Sequence, residues 1–246
     1  MRIAALSDIH SNVFALEAVV RDARQRGAEL MLNLGDVLYG PIAPRATYDL
    51  LGEHEFVTIR GNQDRQIYEA TTEEIDSNPT LRFVFNELGE TPINWMKTLP
   101  VDRQINDDIY LCHGTPTNDM VYLLENVETG RAHLRSDSEI IELLGGQSSE
   151  IVVCGHTHIP RTVALDSGQL VVNPGSVGLP AYTDDEPVFH SMENFCPHAS
   201  YAIIEEGVSG WTVQQVKVSY DYQKAAKEAA NRQREDWAHF LTTGRG

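Results

Sequence analysis

Short apolar runs recur along the chain, and most of them end in a residue that can bind a metal ion or a phosphate group. A short apolar run bounded by Gly, Pro or Asp is typical of a strand that is buried on both faces of a sheet. Between several of these runs lie stretches with apolar residues three and four positions apart, which is the helical period. Alternating strands and helices predict an α/β fold with parallel strands. The strands are predicted at residues 3–6, 30–34, 57–59, 109–112, 151–153 and 170–172.

Helices are predicted where polar and apolar positions alternate with the helical period. The first should be capped by Ser11 or Asn12 and should end at Gly27, because short polar side chains cap helix starts and glycine favours helix ends. Residues 64–99 contain no strand-like run and predict a helical insert of two or three helices, broken at Pro79 and Pro92. The remaining helices are predicted at about residues 43–51, 117–126, 138–144 and, as a charged C-terminal helix, 221–241.

The pattern changes after His158. Residues 161–165, 201–204 and 211–218 predict strands that glycine turns join in antiparallel order. The segment from Pro180 to His198 is acidic and irregular, and it is expected to be a long loop. The length of 246 residues favours one domain over residues 1–246, with the helical insert and the C-terminal helix as additions to it.

The chain is acidic, with a formal net charge of −17 and a pI near 4.8. Such a charge disfavours nucleic-acid backbones and anionic membranes as partners. The three cysteines, Cys112, Cys154 and Cys196, fit neither a disulfide framework nor a zinc clip. The N-terminus enters a strand at once without the pattern of a signal peptide, and no apolar run is long enough to span a membrane. These features together predict a reduced, cytoplasmic protein.

Ligand-type side chains follow nearly every predicted buried strand. Because parallel strands gather functional residues at their carboxyl ends, these side chains are expected to share one crevice. A set of carboxylates and imidazoles suits Mn²⁺, Fe, Zn²⁺, Co²⁺ or Ni²⁺ better than Ca²⁺. Seven such ligands are enough for two metal ions, and paired metal ions hydrolyse phosphate esters. The side chains are Asp8, His10, Asp36, Asn62, His113, His156 and His158.

The order of these motifs resembles the calcineurin-like metallophosphoesterase superfamily. The matching segments are Asp8-Ile9-His10, Gly35-Asp36, Gly61-Asn62-Gln63-Asp64, His113-Gly114 and Gly155-His156-Thr157-His158. The run from Asn173 to Gly178 is similar to the small, mostly prokaryotic phosphodiesterase branch of that family. The resemblance runs from Met1 to about Gly178. It implies an α/β fold with mixed sheets, in which two facing β-sheets are flanked by helices in a four-layer sandwich.

The resemblance also assigns roles to the ligand-type residues. It implies that Asp36 bridges two metal ions and that a metal-bridging hydroxide attacks phosphorus in line with the leaving oxygen. Mn²⁺ is the preferred ion, with Fe, Zn²⁺, Ni²⁺, Co²⁺ or Mg²⁺ as alternatives. The two-residue spacing within Asp8-Ile9-His10 and within His156-Thr157-His158 is expected to place both side chains on one side of an extended backbone. The first metal would be held by Asp8, His10 and His158, and the second by Asn62, His113 and His156.

Gln63 departs from the family pattern, because many members have His at this position, where it is thought to protonate the leaving group. Gln donates hydrogen bonds but supplies no proton near neutral pH. We therefore expect a preference for diesters or anhydrides with good leaving groups, against the alternative that Gln63 only caps the following helix. Asp64 is expected to support the site from behind it. Arg60 either clamps the phosphate or is solvated, and the sequence leaves both readings open.

These features predict a metal-dependent phosphoesterase that acts as a phosphodiesterase on small or nucleotide-like substrates. The alternatives are a protein Ser/Thr phosphatase, a hydrolase of dinucleoside polyphosphates, or a non-catalytic scaffold of the same fold. The expected partner is a small phosphate ester. Neither a membrane nor nucleic acid is expected as a partner, because the chain has no basic stripe with interleaved aromatic residues. The sequence does not decide whether the protein forms a homo-oligomer.

Overall fold

The chain folds around two five-stranded mixed β-sheets in a computed structural model that describes residues 1–208 and 210–246. The strands are β1 (Arg2–Leu6), β2 (Leu30–Asn33), β3 (Val57–Thr58), β4 (Asp102–Gln104), β5 (Ile109–Cys112), β6 (Glu125–Asn126), β7 (His133–Leu134), β8 (Ile151–Val153), β9 (Arg161–Ala164), β10 (Leu170–Asn173), β11 (Ala181–Asp184), β12 (His190–Glu193), β13 (Ala199–Gly207) and β14 (Gly210–Val218). The helices are α1 (Val13–Gln25), α2 (Pro44–Gly52), α3 (Asn62–Glu69), α4 (Thr72–Ser77), α5 (Pro79–Leu88), α6 (Glu90–Thr98), α7 (Asp137–Leu144), α8 (Tyr222–Asn231) and α9 (Glu235–Thr243).

The six predicted apolar runs form strands, and they are divided between the two sheets. The first sheet has the order β14-β13-β1-β2-β3, in which β1, β2 and β3 run parallel. The second has the order β4-β5-β8-β10-β9, in which β5, β8 and β10 run parallel. Antiparallel strands complete both sheets, including the β13–β14 and β9–β10 pairs that the glycine turns predict. The crevice therefore collects strand ends from two parallel sets.

Alternating side chains along β1 show how the layers pack. Ile3 and Ala5 lie in a core with residues of the second sheet, such as Leu111 and Val153, so the two sheets face each other. Ala4 and Leu6 point the other way into a core that contains residues of α1. On the outer face of the second sheet, Cys112 and Cys154 pack with residues of α7, as small apolar side chains do. The order helix, sheet, sheet, helix confirms the predicted mixed α/β architecture.

The first helix begins beside the crevice because Asn12 caps it. The Asn12 Oδ1 accepts a hydrogen bond from Ala15 N at 3.1 Å, and its Nδ2 donates to the Gly178 carbonyl at 2.9 Å. Ser11, the other predicted cap, instead accepts a hydrogen bond from Ile42 N at 3.2 Å. One side chain therefore satisfies the helix start and fixes the distant 178 turn against it.

The predicted helical insert is present as four helices, α3 to α6, where two or three were expected, and one of its two predicted breaks lies elsewhere. Pro79 starts α5, as a residue without an N–H group can. The break before α6 lies at Gly89, whose φ of 65° is left-handed, and Pro92 lies inside the first turn of α6. Proline is tolerated there because the first N–H groups of a helix have no partner within the helix.

Three local predictions are wrong. Residues 117–126 form no helix, because Thr115 and Asn118 close a tight turn and the chain then enters β6. The expected long loop at 180–198 contains the hairpin β11–β12, whose buried His190 and Met192 alternate with half-buried neighbours. The expected single C-terminal helix is α8 and α9, which are separated at Gln233 with its left-handed φ of 61°. Across the described ranges, none of the helices is both long and apolar enough to cross a bilayer.

Candidate metal centre

Seven ligand-type side chains meet where the parallel strands of both sheets end. Six of them form two buried groups, and within each group the ligand atoms lie within 4.8 Å of one another. Asn62 joins the second group, since its Oδ1 lies 2.9 Å from His113 Nε2. These groups bring together the residues that the family resemblance assigns to the two metal ions, while their roles as ligands and the bridging role of Asp36 stay predictions. The first group is Asp8, His10 and His158, and the second is Asp36, His113 and His156.

The backbone at these residues is left-handed, which contradicts the extended steps predicted from the motif spacing. The φ angles are 55° at Asp8, 48° at His10, 53° at Asp36, 71° at His156 and 61° at His158. Residues other than glycine adopt this region at a cost of about 1–3 kcal/mol each, and such strain concentrates at functional sites. The turns that follow the strands, and not a two-residue strand period, therefore direct these side chains into the crevice.

Hydrogen bonds fix the tautomers of the first group and leave it with converging lone pairs. His10 Nδ1 donates to the Tyr39 carbonyl at 3.2 Å, and His158 Nδ1 donates to the Leu179 carbonyl at 2.7 Å. In the neutral form that binds a metal ion, each imidazole carries its one N–H at Nδ1, so both Nε2 atoms, which lie 3.0 Å apart, are then acceptors. Asp8 Oδ1 is a third acceptor, buried without a hydrogen-bond partner in the described part of the chain. Three facing acceptors repel one another unless a cation lies between them, so this group fits a divalent metal ion.

The second group follows the same logic. His113 Nδ1 donates to the Leu34 carbonyl at 2.7 Å, so Nε2 is the ring nitrogen that faces the group, and it carries the lone pair once the imidazole is neutral. That Nε2 lies 2.9 Å from Asn62 Oδ1 and 3.5 Å from Asp36 Oδ2, and both of these are oxygen acceptors. Outer hydrogen bonds of this kind orient metal-binding histidines and set their tautomer. Nitrogen and oxygen donors that converge in a buried position fit a first-row divalent ion.

His156 reaches the second group from the opposite side of the crevice. Its Nε2 donates to the Met120 carbonyl at 3.2 Å, which leaves Nδ1 as the ligand atom. Its backbone N–H donates to Asp8 Oδ2 at 3.1 Å. One residue therefore offers a ligand to the second group and holds a carboxylate of the first, so the two groups are mechanically linked.

The protonation states suit metal binding at two of the histidines. Burial, followed by the neighbouring His158, lowers the pKa of His10 to about 4. Burial, followed by His113, lowers the pKa of His156 to about 4. Burial also opposes a charge on His113, but the Asp36 carboxylate outweighs it and raises the pKa of His113 to about 10. His10 and His156 are thus neutral near pH 7, whereas His113 must release a proton when a metal ion binds.

Asp64 supports the second group from beneath the loop, as predicted for a residue behind the site. Its carboxylate accepts backbone N–H bonds from Asp36 at 2.8 Å, Val37 at 2.9 Å and Gly61 at 3.0 Å. Burial, followed by the Asp36 charge, raises the pKa of Asp64 to about 6. Gly61 is required in this loop because a Cβ atom there would overlap Asp36 Oδ1. The two motifs are thereby locked together through backbone atoms.

Gln63 and Arg60 lie in different places. The Gln63 N–H donates to Asp36 Oδ1 at 2.8 Å, its side chain lines the cavity above the two groups, and its Oε1 is buried without a partner among the described residues. Arg60 lines a second cavity, of about 230 Å³, which His113 also lines, and its guanidinium donates to the Tyr68 hydroxyl. The structure therefore places Gln63 in the cavity above the two groups and Arg60 in the smaller cavity that it shares with His113.

Several supporting residues escaped the sequence analysis because they act through backbone atoms. The Ser176 hydroxyl donates to the Asp8 carbonyl at 2.7 Å and accepts from Leu179 N at 2.8 Å. Asn194 Nδ2 donates to the His158 carbonyl at 2.8 Å. The carbonyl groups that these side chains meet have no signature in the side-chain pattern of the sequence.

The hairpin β11–β12 also supports the centre. The Tyr182 hydroxyl lies 3.1 Å from both the His156 carbonyl and Tyr122 Oη, and its one proton is shared between these two acceptors. His190 Nδ1 donates to the Val188 carbonyl at 2.8 Å, and its Nε2 accepts from the Tyr122 hydroxyl at 3.1 Å. His190 is thus a buried histidine whose two ring nitrogens both have hydrogen-bond partners.

A cavity of about 640 Å³ lies above the two groups. Its floor contains His10, Asp36, Asn62, His156 and His158. This volume lies within the range of about 300–1,000 Å³ that is typical of sites for small molecules. The arrangement can therefore hold two cations at the floor of a space that admits a small anionic substrate.

Comparison with known proteins agrees with this geometry. The calcineurin-like phosphoesterase superfamily domain matches residues 1–194. An uncharacterized protein of Methanocaldococcus jannaschii is 26% identical over 96% of this chain and 94% of its own length. The protein named phosphodiesterase YfcE of Escherichia coli is 28% identical over 73% of this chain and 81% of its own length. A metallophosphoesterase structure from Sphaerobacter thermophilus is 22% identical and superposes with a TM-score of 0.76 over 99% of this chain and all of that one, which shows the shared fold.

Proposed function

The chain belongs to the calcineurin-like phosphoesterase superfamily, and on that premise we propose that it hydrolyses small phosphodiesters with two divalent metal ions. It is a hydrolase of phosphate esters, as the resemblance of its motifs implied. The observation that carries the finer proposal is the pair of buried acceptor groups side by side at the floor of one cavity. The similarity to a protein named phosphodiesterase supports the choice of a diester.

Two divalent ions, when bound, would polarise the phosphoryl oxygens and lower the pKa of a water molecule. The chain itself sets the geometry for this chemistry. Tyr39 and Leu179 carbonyls hold the imidazoles of the first group, and the Leu34 carbonyl holds His113. Asn62 contributes a neutral oxygen, which leaves more net positive charge for the substrate than a third carboxylate would. We keep Mn²⁺ as the first ion to test.

The charge of the cavity walls favours a substrate with one negative charge. Of the described residues that line the cavity, the basic ones are Arg135 and Arg234. Both are engaged, since Arg135 lies 3.7 Å from a Glu139 oxygen and Arg234 lies 2.6 Å from an Asp236 oxygen. Further carboxylates line the same walls and oppose a dianionic monoester or a polyphosphate chain. These carboxylates are Glu128, Asp184 and Glu186.

Gln63 supports a diester with a good leaving group. Its carboxamide lines the cavity beside the ligand groups, where it can donate a hydrogen bond but no proton. A leaving group that departs without a proton must have a low pKa, as an aryl alcohol has. Gln63→His should raise the rate on alkyl phosphate monoesters more than the rate on p-nitrophenyl phosphate or on diesters with activated leaving groups. An unchanged rate on alkyl monoesters would count against this role for Gln63.

The proposal is tested by stripping the metal ions, adding back Mn²⁺, and comparing bis-p-nitrophenyl phosphate with p-nitrophenyl phosphate. We expect turnover that depends on Mn²⁺ and prefers the diester. Asp36→Ala should abolish this turnover, whereas Asp107→Ala, which removes an exposed carboxylate, should not change it. Near wild-type activity of Asp36→Ala would contradict the assignment of the centre.

The same assay separates the alternatives from the proposal. A phosphoserine peptide and a dinucleoside polyphosphate are added as substrates under identical conditions. Preference for either would replace the diester proposal by a protein phosphatase or a polyphosphate hydrolase. Absence of turnover with every substrate and with each of the candidate ions would favour the scaffold alternative.

A further inference from the structure

We propose that the aromatic side chains on the His10 side of the cavity form a binding site for an aromatic ring of the substrate, such as an aryl or nucleobase group. The inference rests on the proposed function, because it names the part of a phosphodiester that lies beyond the phosphate. We call this surface the aromatic wall. It consists of Tyr39, Leu179, Tyr182, Trp237 and Phe240, all of which line the cavity.

The aromatic wall stands directly beside the first ligand group. The rings of Trp237 and His10 lie 5.8 Å apart between centroids and cross at 84°, in an edge-to-face arrangement. The rings of Tyr182 and His158 lie 4.6 Å apart and cross at 68°. A phosphate placed over the ligand groups therefore has these aromatic side chains as neighbours. An ester group of that phosphate that points toward α9 would contact these side chains directly.

The two largest parts of the wall come from α9, which lies outside residues 1–194 of the superfamily match. Trp237 and Phe240 lie one helical turn apart and pack with residues of α8 in a core, where they are only 4% and 6% exposed, and both also line the cavity. The metal centre itself is built from residues between 8 and 158. The wall is therefore an addition to the ligand groups, in the place where a substrate-specific surface is expected.

Contacts from the helical insert hold the wall in place. Arg234 Nη1 donates to Thr80 Oγ1 at 2.6 Å, and the Arg234 guanidinium carbon lies 5.4 Å from the centroid of the Trp237 ring. The Tyr39 hydroxyl accepts a hydrogen bond from Asn78 Nδ2 at 3.3 Å. Rigid aromatic side chains that are already in position lose little entropy when a ligand binds. Aromatic pairs also gain from edge-to-face and offset contacts, which an alkyl group does not provide.

Other parts of the cavity lining are polar or charged. They include Asn126, Glu128 and Arg135, so a ring placed against them would desolvate polar and charged groups. A ring placed on the aromatic wall would instead remove apolar surface from water on both partners. We therefore expect the ring to bind against the aromatic wall.

The first test is a binding measurement that needs no turnover. Phenylphosphonate and methylphosphonate carry the same anionic group and differ in the ring, so their ratio of dissociation constants isolates the contribution of the ring. We expect phenylphosphonate to bind the Mn²⁺-loaded protein about tenfold more tightly, as measured by isothermal titration calorimetry. Equal affinities, or no binding of phenylphosphonate, would overturn the inference.

Variants locate the ring on the wall. Trp237→Leu and Tyr39→Leu should each lower the preference for the phenyl compound to about threefold or less, while the affinity for methylphosphonate stays unchanged. Trp211→Leu is the matched control, because Trp211 lies on β14 and bonds Glu150 away from the cavity, and it should keep the full preference. A preference that survives both wall variants would overturn the inference.

Folding is checked separately, since Trp237 is buried. Each variant is compared with the wild type by its unfolding midpoint and by its Mn²⁺ content. Trp237→Phe keeps a ring in the same place and should keep most of the preference even if the leucine variant is unstable. Tyr39 is only partly buried, so Tyr39→Leu gives a second and better tolerated probe of the same wall.

A kinetic test distinguishes failure of the inference from failure of the proposed function. Methyl p-nitrophenyl phosphate and phenyl p-nitrophenyl phosphate share their leaving group and differ in the second ester group. We expect a kcat/KM about tenfold higher for the phenyl diester, and a loss of this preference in Trp237→Leu. Equal rates for both diesters would overturn the aromatic wall and leave the diesterase intact. No turnover of either diester would overturn the proposed function. The phosphonate binding measurements would then still test whether the aromatic wall binds a ring.

Discussion

Ser176 connects the two ends of the first ligand group, and its replacement by alanine tests whether this connection positions the metal ligands. The hydroxyl donates to the Asp8 carbonyl at 2.7 Å and accepts from Leu179 N at 2.8 Å. The Leu179 carbonyl in turn holds His158 Nδ1 at 2.7 Å. One hydroxyl therefore acts on Asp8 directly and on His158 through one residue.

The magnitude follows from what each partner retains in Ser176→Ala. The Asp8 carbonyl keeps a second hydrogen bond from Gly178 N at 3.0 Å, so losing its bond from the Ser176 hydroxyl costs about 0.5–1.5 kcal/mol. The buried Leu179 N–H has no replacement acceptor, so losing its bond to Ser176 costs about 1–3 kcal/mol. The sum is about 3 kcal/mol of unfolding free energy. Looser placement of Asp8 and His158 should also weaken Mn²⁺ binding by about 10- to 100-fold, the usual effect of removing an outer support.

Ser200→Ala is the matched control. Ser200 is equally buried, and its hydroxyl has no hydrogen-bond partner among the described residues. Removing an unpaired buried hydroxyl should leave the free energy of unfolding unchanged or raise it by about 1 kcal/mol. The two serines lie on neighbouring segments, since Ser200 N donates to the Ser176 carbonyl at 2.9 Å.

The assay is urea unfolding of the metal-free proteins, followed by titration with Mn²⁺. With a slope of about 3 kcal/mol per molar urea, Ser176→Ala should lower the unfolding midpoint by about 1 M. Equal midpoints for the two alanine variants would refute the hydrogen-bond accounting. A lower midpoint of Ser176→Ala with an unchanged Mn²⁺ affinity would refute the positioning role and leave Ser176 with a role in stability only.

Other predictions concern the supports around the centre. Arg161→Ala removes the partner of the buried Glu125, 2.6 Å away, and should cost about 3–5 kcal/mol. Burial raises the pKa of Glu125 although Arg161 acts to lower it. Without Arg161, the stability of the variant falls as pH rises through the folded pKa of Glu125, so the loss of unfolding free energy, measured by urea midpoint, should be larger near pH 8 than near pH 5. Equal losses at the two pH values would contradict this sign. Tyr201→Phe removes a 2.6 Å bond to Asp22 and should cost about 1–2 kcal/mol at neutral pH. Burial alone would raise the pKa of Asp22, but Tyr201 and Arg26 hold it below 3.8, so the deficit should shrink as pH falls below that value; a deficit independent of pH in calorimetric scans would count against the bond. Mn²⁺ at about 100 times its dissociation constant should add about 2.7 kcal/mol to the free energy of unfolding, and a midpoint indifferent to Mn²⁺ would argue against a metal centre.

The strands and the ligand residues could be predicted because their signals are local. An apolar run such as Ile3 to Leu6 predicts a strand from four neighbouring residues, and Asp8 follows it within the same window. The same is true of His113 after β5. Neither prediction depends on what the rest of the chain does, because burial on both faces requires apolar side chains at every position.

The backbone of the site could not be predicted in the same way. The left-handed φ angles at Asp8 and His156 carry no residue signal, since the region is most often reserved for glycine. They are imposed by distant partners, such as Gly178 N, which donates to the Asp8 carbonyl at 3.0 Å. Strain that the surrounding fold maintains is visible only when those partners are in place.

The hairpin and the aromatic wall were missed for related reasons. In β11–β12 the alternation covers four residues in each strand, and the acidic turn between them hides it. Trp237 has an ordinary place on the apolar face of a helix, and nothing near it in the chain indicates that its neighbour is His10. Functional contacts between residues far apart in the chain need the tertiary structure, because sequence periodicity reports only which face is buried.

The position of β1 has a consequence for how the protein reaches its native state. Its parallel neighbour β2 follows after one helix, but its antiparallel neighbour β13 comes late in the chain, and Arg2 pairs with Glu205, 203 residues away. Pairing over such a separation requires closure of a very long loop, and topologies rich in such contacts fold slowly. Asp8 and His10 follow β1 directly, so their final placement waits for this closure. We therefore expect metal-binding competence to appear in the last and slowest phase of refolding, well after the helices have formed.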